Sequence, residues 1–414
     1  MVNLTRRLGN AKNELGVLYM NKAAAMMDSG AEPSIQEREL WKKSFSHFES
    51  GIRTFDITDD SANKALLLSN LGRLMRLCAQ AVGGVETKLT GRRGEFTQEE
   101  RGYYNKAFEF YNRALRCLAE RKKSPEVWDT VTWELSGSYF SMASLLQDYA
   151  PLSSYAQEQV EQDVTELMMK ALRLCEPSVS GSMPHVRPQS TQQLYHRIAS
   201  IHHRLASLYH NSYRNQAVDQ SKKKARSLAE LHYGKAVGYL DAALYPCEWI
   251  RILLEQVAMC EYHVTTHGGS AAAIRSLQAA LEHLFQTRRA LEYLGSLKVD
   301  KGSECETATD SKGEESSKVH EKCGSEVKWE ELRTLIPILE SRLTSALKDI
   351  VKANSVLKNK GKTSRDWGGL ETAKQMYSVA LRSSSTSGDE DIVKKCQRIA
   401  ETLQNLQEIM KETR

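Results

Sequence analysis

Proline is scarce in this sequence: only 8 of its 414 residues are proline. Because proline interrupts helices and good helix formers such as Ala, Leu, Glu and Lys dominate the composition, the shortage favours a helical protein. Long apolar runs are missing too. No stretch approaches the roughly 18 apolar residues of a membrane span, and the N-terminal residues lack the apolar core of a signal peptide. We therefore expect neither a membrane-spanning helix nor a secretion signal.

The 8 cysteines form no disulfide or ligand framework. Their gaps are irregular and no Cys-x-x-Cys occurs, which argues against a zinc knuckle and for a reducing, intracellular compartment. One group, Cys260, His263 and His267, has helical spacing and residue types that suit zinc. A single helix rarely supplies every ligand, however, and the glycines after His267 fit a helix end. We expect no metal and no cofactor.

A strong excess of charge and the common catalytic motifs are also absent. The 57 basic and 52 acidic residues leave a net charge of +5, which is small for this length and does not predict direct nucleic-acid binding. Gly361-Lys362-Thr363 resembles the end of a phosphate-binding loop, but Val356 stands where that loop needs its first glycine. No Gly-x-Ser-x-Gly occurs. The sequence therefore predicts a protein that is not an enzyme.

What is present is a recurring triplet of a small, an aromatic and a small residue. Ala107, Tyr111 and Ala114 are spaced by four and then three residues, which places them on one face of a helix. The same triplet recurs at Ala229/Tyr233/Ala236 and Ala373/Tyr377/Ala380, with degenerate copies at Ser44/Phe48/Gly51, Val164/Met168/Ala171 and Ala273/Leu277/Ala280. Such recurrence indicates one packing solution used repeatedly.

A second pattern, large–small–aromatic, precedes the triplet helices. Its copies are Leu15/Gly16/Tyr19, Leu71/Gly72/Met75, Trp133/Gly137/Phe140 and Leu205/Ala206/Tyr209. The alternation of the two patterns resembles the tetratricopeptide repeat, Trp-x2-Leu-Gly-x2-Tyr followed by Ala-x3-Phe-x2-Ala, although Ser136 replaces the leucine of the best copy. The second-half motifs start at 44, 107, 164, 229 and 273, in steps of 63, 57, 65 and 44. Since the standard period is about 34 residues, long inter-helix insertions are predicted.

Three segments follow from these patterns. Residues 1–297 are predicted to form an all-α, tetratricopeptide-like solenoid of antiparallel helix pairs. Residues 298–328 have no aromatic side chain and few aliphatic ones, so a disordered polar linker is predicted there. Residues 329–414 are expected to form a C-terminal helical segment with one more repeat-like helix, kinked or cut short at Pro337.

The stretches "NAKNELGVLYMNKA", "YYNKAFEFYNRALRCL", "LHYGKAVGYLDAAL" and "AKQMYSVALR" resemble the C-terminal part of the erythroid differentiation-related factor family. The members of that family are much longer, so the resemblance implies a fragment or a short isoform. It also implies a nuclear regulator of erythroid gene expression, globin genes included. We therefore hypothesise a non-catalytic protein-interaction module in the nucleus. A cytoplasmic scaffold or adaptor using the same groove is the alternative.

Helical angles predict which side chains face a binding groove. The large–small–aromatic residues are predicted to point inward. The residues two before, two after and five after the leucine position then lie on the opposite side of each first helix. The candidates are Asn13, Val17 and Met20; Ser69, Arg73 and Arg76; Glu134, Ser138 and Ser141; and His203, Ser207 and His210. Arg and His outnumber the single acid, so an acidic or carboxylate-ended protein segment is the expected partner. A solvated face without a ligand is the competing interpretation.

One short basic run stands apart from the repeats. Lys222, Lys223, Lys224 and Arg226 lie in what the pattern predicts to be a turn between helices. We interpret the run as a possible nuclear import signal or as an ordinary solvated turn.

Overall fold

The computed structural model describes residues 2–27, 33–83, 95–180, 188–266, 270–297, 327–359, 369–385 and 391–412. Across these ranges every regular element is helical, and the all-α fold of antiparallel helix pairs predicted from the sequence is confirmed. None of the described helices is long and apolar enough to cross a membrane. The chain divides into two compact units, Met1–Leu208 and Tyr209–Arg414, which we call the N-terminal and C-terminal units.

The helices have the following bounds. They are α1 (Val2–Met27), α2 (Ile35–Ile57), α3 (Ser61–Gly83), α4 (Gln98–Leu118), α5 (Pro125–Asp148), α6 (Gln157–Ser180), α7 (Pro188–Asn215), α8 (Asp219–Tyr239), α9 (Pro246–Thr266), α10 (Ser270–Gln286), α11 (Arg288–Ser296), α12 (Trp329–Asn359), α13 (Gly369–Ser385) and α14 (Ile392–Glu412). Short 3₁₀ turns precede and follow α5, at Arg121–Lys123 and Ala150–Leu152. Helices of 21 to 26 residues account for much of the long spacing between motifs.

Helix starts in the N-terminal unit follow local capping rules. The side-chain oxygen of Ser34 accepts a hydrogen bond from the backbone N–H of Glu37, and that of Thr97 from Glu100, both at 3.1 Å. These contacts satisfy donors that the first helical turn leaves free. They fix where α2 and α4 begin, and so where their triplets sit.

Pairs of helices meet where a small residue faces an aromatic ring. An added Cβ at Gly16 would lie 2.5 Å from Cε1 of Phe48, and one at Gly72 would lie 2.6 Å from Cζ of Tyr111. Phe48 and Tyr111 are fully buried. The small residue of the first helix thus receives the aromatic residue of the second, which is how the two sequence patterns fit together.

The buried face of α1 is rotated from the one predicted. Leu15 was expected to point inward but is 40% exposed, whereas Met20, expected on the opposite side, is 3% exposed. The reason is the pair of glycines: Gly9 and Gly16 face the rings of Phe55 and Phe48. Close approach to those two rings fixes the rotation of α1.

The C-terminal unit has a core shared by helices on both sides of residues 298–328. Buried side chains of α9, α10 and α11 join those of α12, α13 and α14 in one cluster. Arg342 of α12 donates a hydrogen bond to the carbonyl oxygen of Leu254 in α9, at 2.7 Å. The structure therefore groups residues 329–414 with the helices from Tyr209 onward, unlike the sequence-based division, because their apolar faces bury each other.

The predicted linker lies mostly outside the described residues. Only its end, Val327 and Lys328, is described, and Nζ of Lys328 lies 3.1 Å from a carboxylate oxygen of Glu248. Pro337 neither ends nor starts α12, which continues through it to Asn359.

Candidate protein-interaction surface on the first helices

The candidate surface, hereafter the first-helix surface, consists of side chains on α1, α3, α5 and the N-terminal-unit part of α7. It is built from contacts between one first helix and the next. Asn70 of α3 donates a hydrogen bond through Nδ2 to Oδ1 of Asn13 on α1, at 2.9 Å. Asn13 is half-buried by this contact. The groove candidate of α1 thus joins its neighbour at one end of this surface.

Arg73 and Arg76 of α3 converge on Glu134 of α5. The carboxylate of Glu134 lies 3.1 Å from Nη2 of Arg76 and 3.9 Å from Nε of Arg73. The side chain of Arg73 is 45% exposed, that of Arg76 26% and that of Glu134 20%. The structure therefore brings three predicted groove residues into one cluster. Arg73 is the most accessible of them.

Tyr111 lies beneath this cluster and stays neutral. Its ring is fully buried, and burial raises the pKa of its hydroxyl well above the ordinary value. Arg76, Glu134 and Arg73 all lie near enough to act on that pKa. The repeat aromatic of α4 is thus also the apolar floor of the charged cluster.

Arg197 of α7 belongs to the same surface, although the sequence pattern did not indicate it. Its guanidinium lies 3.1 Å from the ring centroid of Trp133, and Nη1 donates a hydrogen bond to the carbonyl oxygen of Trp133 at 2.6 Å. Gly137 leaves the space: an added Cβ there would lie 3.3 Å from Nη2. Burial lowers the pKa of Arg197 to about 10, so the side chain remains charged at neutral pH.

A further contact between α5 and α7 extends the surface. The guanidinium of Arg204 pairs with the carboxylate of Asp148, and Nε2 of Gln147 donates to the carbonyl oxygen of Arg204 at 3.0 Å. The charged side chains named so far are Arg73, Arg76, Arg197 and Arg204 against Glu134 and Asp148. Guanidinium groups therefore outnumber carboxylates, which favours an anionic ligand.

Four predicted groove residues are buried and unsuited to contact a peptide: Met20, Ser69, Ser138 and His210. Ser138 is fully buried, and its hydroxyl donates to the carbonyl oxygen of Glu134 at 2.9 Å. His210 lies in the C-terminal unit, with Nδ1 3.1 Å from the hydroxyl oxygen of Tyr233. Burial lowers its pKa, so it does not supply the positive charge expected of it. His203 is half-buried on α7. In these four cases the side of the first helix that was expected to face the groove is itself packed.

The basic run is helical rather than a turn. Lys222, Lys223, Lys224 and Arg226 lie in the first two turns of α8. Lys223 and Lys224 are exposed, while Nε of Arg226 pairs with Glu230 at 2.8 Å. The connection between α7 and α8 is only residues 216–218, so the run lies near the start of a helix and not in the connection.

Cys260 and His263, two of the three residues whose spacing suits zinc, lie on α9. Burial raises the pKa of the Cys260 thiol to about 12, which keeps it protonated. Nδ1 of His263 lies 3.0 Å from the hydroxyl oxygen of Tyr213. His267 lies outside the described residues.

An aromatic cleft between α2 and α4 was also missed by the sequence patterns. Its volume is about 540 Å³. Two ring pairs line it, Trp41 with Tyr103 and Phe45 with Phe110, with centroids 6.5 and 6.2 Å apart. These rings lie outside the repeat triplets, and that is why triplet spacing gave no signal for them.

The chain is similar to known proteins along nearly its whole length. Residues 4–413 match the family model described as "Erythroid differentiation-related factor 1-like, TPR repeats". Erythroid differentiation-related factor 1 of Homo sapiens is 41% identical over 391 residues, which is 93% of this chain and 30% of that protein. The Mus musculus protein of the same name is 41% identical over 390 residues, again 93% of this chain and 30% of its own length. The chain thus spans less than a third of these relatives.

Among solved structures, one described as a circular tandem repeat protein with novel repeat topology and enhanced subunit contact surfaces covers 100% of this chain and 89% of its own. Its sequence identity is 14% and its TM-score 0.34, a similarity too low to support an argument about the fold.

Proposed function

The chain belongs to the erythroid differentiation-related factor 1-like family of TPR-repeat proteins, and from that premise we propose that it is a non-catalytic interaction module that binds acidic protein segments on its first-helix surface. TPR helix pairs present extended surfaces, and such surfaces suit extended segments of other proteins. Neither a catalytic motif nor an enzyme family supports a competing enzymatic role. The proposal concerns this chain, which spans less than a third of the length of its relatives.

The observation that carries the proposal is the cluster of Arg73 and Arg76 around Glu134. One carboxylate shared by two guanidinium groups leaves positive charge in excess, and Arg73 is nearly half exposed. A carboxylate of a partner could form a further ion pair with Arg73 or Arg76. Arg side chains favour carboxylates because their planar forks give paired hydrogen bonds.

The test starts from peptides selected against the immobilised chain from a random library. We expect selection of peptides rich in Asp and Glu or ending in a carboxylate next to apolar residues. Arg73→Gln with Arg76→Gln should weaken their binding on the order of tenfold or more, since each lost charged contact is worth roughly 1.5–3 kcal/mol. Binding should also weaken as salt is raised.

Glu134→Gln provides the matched control. It removes the same ion pairs as the arginine substitutions but increases the net positive charge, so it should preserve or strengthen the binding of acidic peptides. A loss of stability common to both variants cannot produce opposite changes in affinity. Peptides that bind both variants equally would place the binding surface elsewhere.

We further propose that this interaction serves a nuclear regulator of transcription in erythroid differentiation. The support is the family to which the chain belongs, together with the exposed lysines of the basic run on α8. A cytoplasmic scaffold would use the same surface. The localisation of the tagged chain separates the two.

A further inference from the structure

Helix α1 carries an exposed leucine stripe on the side away from its neighbours. The exposed fractions are 72% for Leu4, 51% for Leu8, 40% for Leu15 and 59% for Leu18. Scattered exposed leucines are ordinary on protein surfaces, but a continuous apolar stripe marks a surface that another molecule covers. Four leucines within four turns of one helix form such a stripe.

The stripe follows a coiled-coil spacing. Leu4, Leu8, Ala11, Leu15 and Leu18 are separated by four, three, four and three residues, and Ala11 is exposed like the leucines. This is the a/d spacing of a heptad, with Leu8 and Leu15 at a and the other three at d. Such a seam is covered by another helix that runs nearly parallel or antiparallel to it.

The side of α1 opposite the stripe packs within the N-terminal unit. Gly9 and Gly16 face α2, and Lys12 donates a hydrogen bond through Nζ to the hydroxyl oxygen of Thr54, at 3.1 Å. Asn13 is held by α3, as described above. Lys12 is therefore on the side of the seam nearer α2, at an e position. The other side carries the g positions Arg7 and Glu14, both of which are exposed.

The charges at the g positions select an orientation for a second copy of α1. In an antiparallel pair, a residues pack against d residues and g faces g of the partner. One register pairs Leu8 with Ala11 of the second copy and Leu4 with Leu15 of the second copy. In that register Arg7 lies opposite Glu14 of the second copy, and the two-fold symmetry repeats this pair. A parallel pair would instead place Arg7 opposite Lys12, a like-charge contact.

We propose that the chain forms a two-fold symmetric dimer through antiparallel packing of α1 on α1, with Leu4, Leu8, Ala11 and Leu15 at the seam and Arg7 paired with Glu14 of the second copy. A two-fold contact of this kind needs one self-complementary surface, which the register supplies. The seam buries fewer side chains than a standard interface, so the dimer is a weak one that depends on concentration.

Sedimentation velocity of the full chain tests the proposal across about 1–100 µM, the range in which an association of about 6–8 kcal/mol becomes visible. The wild-type chain should shift from monomer to dimer as concentration rises. Leu8→Glu and Leu15→Glu should each abolish the shift, because a charge at the seam is buried in the dimer and exposed in the monomer. Leu231→Glu is the matched control. Leu231 is an exposed leucine of α8 outside any apolar stripe, and its substitution should leave the dimer unchanged.

Charge exchange tests the orientation independently of any effect on folding. Arg7→Glu and Glu14→Arg should each weaken dimerisation by roughly 2- to 30-fold, as expected from two exposed ion pairs per dimer. The double variant restores complementarity and should restore dimerisation. The proposal is overturned if the wild-type chain stays monomeric up to the highest concentration, if the glutamate variants still dimerise, or if the double variant dimerises no better than the single ones.

Discussion

The close approach of α3 to α4 makes a sharp prediction for Gly72→Ala. The methyl group would lie 2.6, 2.7 and 2.8 Å from Cζ, Cε1 and Cε2 of Tyr111. Ordinary carbon–carbon contacts are about 3.5–4 Å, so the ring must move by up to about 1 Å. Tyr111 is fully buried, so its ring is enclosed by neighbouring side chains.

Two opposing effects set the change in the free energy of unfolding caused by Gly72→Ala. Alanine is a better helix former than glycine by about 1 kcal/mol, which stabilises α3. Overpacking a well-filled contact costs about 1–3 kcal/mol. We expect overpacking to win because the obstructing atoms belong to a rigid, enclosed ring, with a net loss of up to about 2 kcal/mol. For a unit of about 200 residues this lowers Tm by up to about 8 °C.

Gly102→Ala gives the same chemical change without the obstruction. Gly102 lies inside α4, and an added Cβ there meets no atom within 4 Å. This variant should therefore gain about 0.5–1 kcal/mol. Thermal and urea unfolding of the two variants, followed by circular dichroism, should give shifts of opposite sign. If Gly72→Ala is as stabilising as Gly102→Ala, the tight contact with Tyr111 does not exist in solution.

Two further predictions concern the C-terminal unit. His232 is buried against Tyr209, and burial, with a smaller contribution from Lys235, lowers its pKa to about 4. The unfolded chain takes up this proton first, near pH 6.5, so stability should fall between pH 6.5 and 4 by no more than roughly 3 kcal/mol. His232→Gln should flatten that part of a urea-unfolding profile, and an unaltered profile would contradict the assignment. Separately, Lys223→Ala with Lys224→Ala should reduce nuclear enrichment of a fluorescent fusion, and an unchanged nuclear fraction would remove the run from the proposal.

Periodicity in the sequence identified the helices and much of their core. All three residues of the triplets at Ala107 and Ala229 are fully buried, and so are those of the degenerate copy at Val164. Residues three and four apart share a helix face whatever the rest of the chain does, so this information is local. The sequence placed Arg73 and Arg76 on one side of α3 in the same way, since they are three residues apart, but it did not predict their meeting with Glu134.

The rotation of α1 and the partners of charged side chains were decided only in the tertiary structure. The local pattern predicted that Leu15 points inward. The rings of Phe48 and Phe55 instead place the two glycines of α1 inward, and Leu15 is exposed. Spacing indicates that a helix has an apolar face. It does not state which of two apolar stripes a neighbouring helix will cover.

The same limit applies to the first-helix surface and to the grouping of the helices. Arg197 packs on Trp133 from 64 residues away, in a space that Gly137 leaves open, and no local pattern encodes that meeting. Likewise, the composition of residues 298–328 marks a break in the sequence, while the apolar faces of the flanking helices meet in one core. The sequence by itself determined that the chain is helical and which residues of a helix share a face. The tertiary structure decided which of those faces meet, because burial is shared between segments that are far apart in the chain.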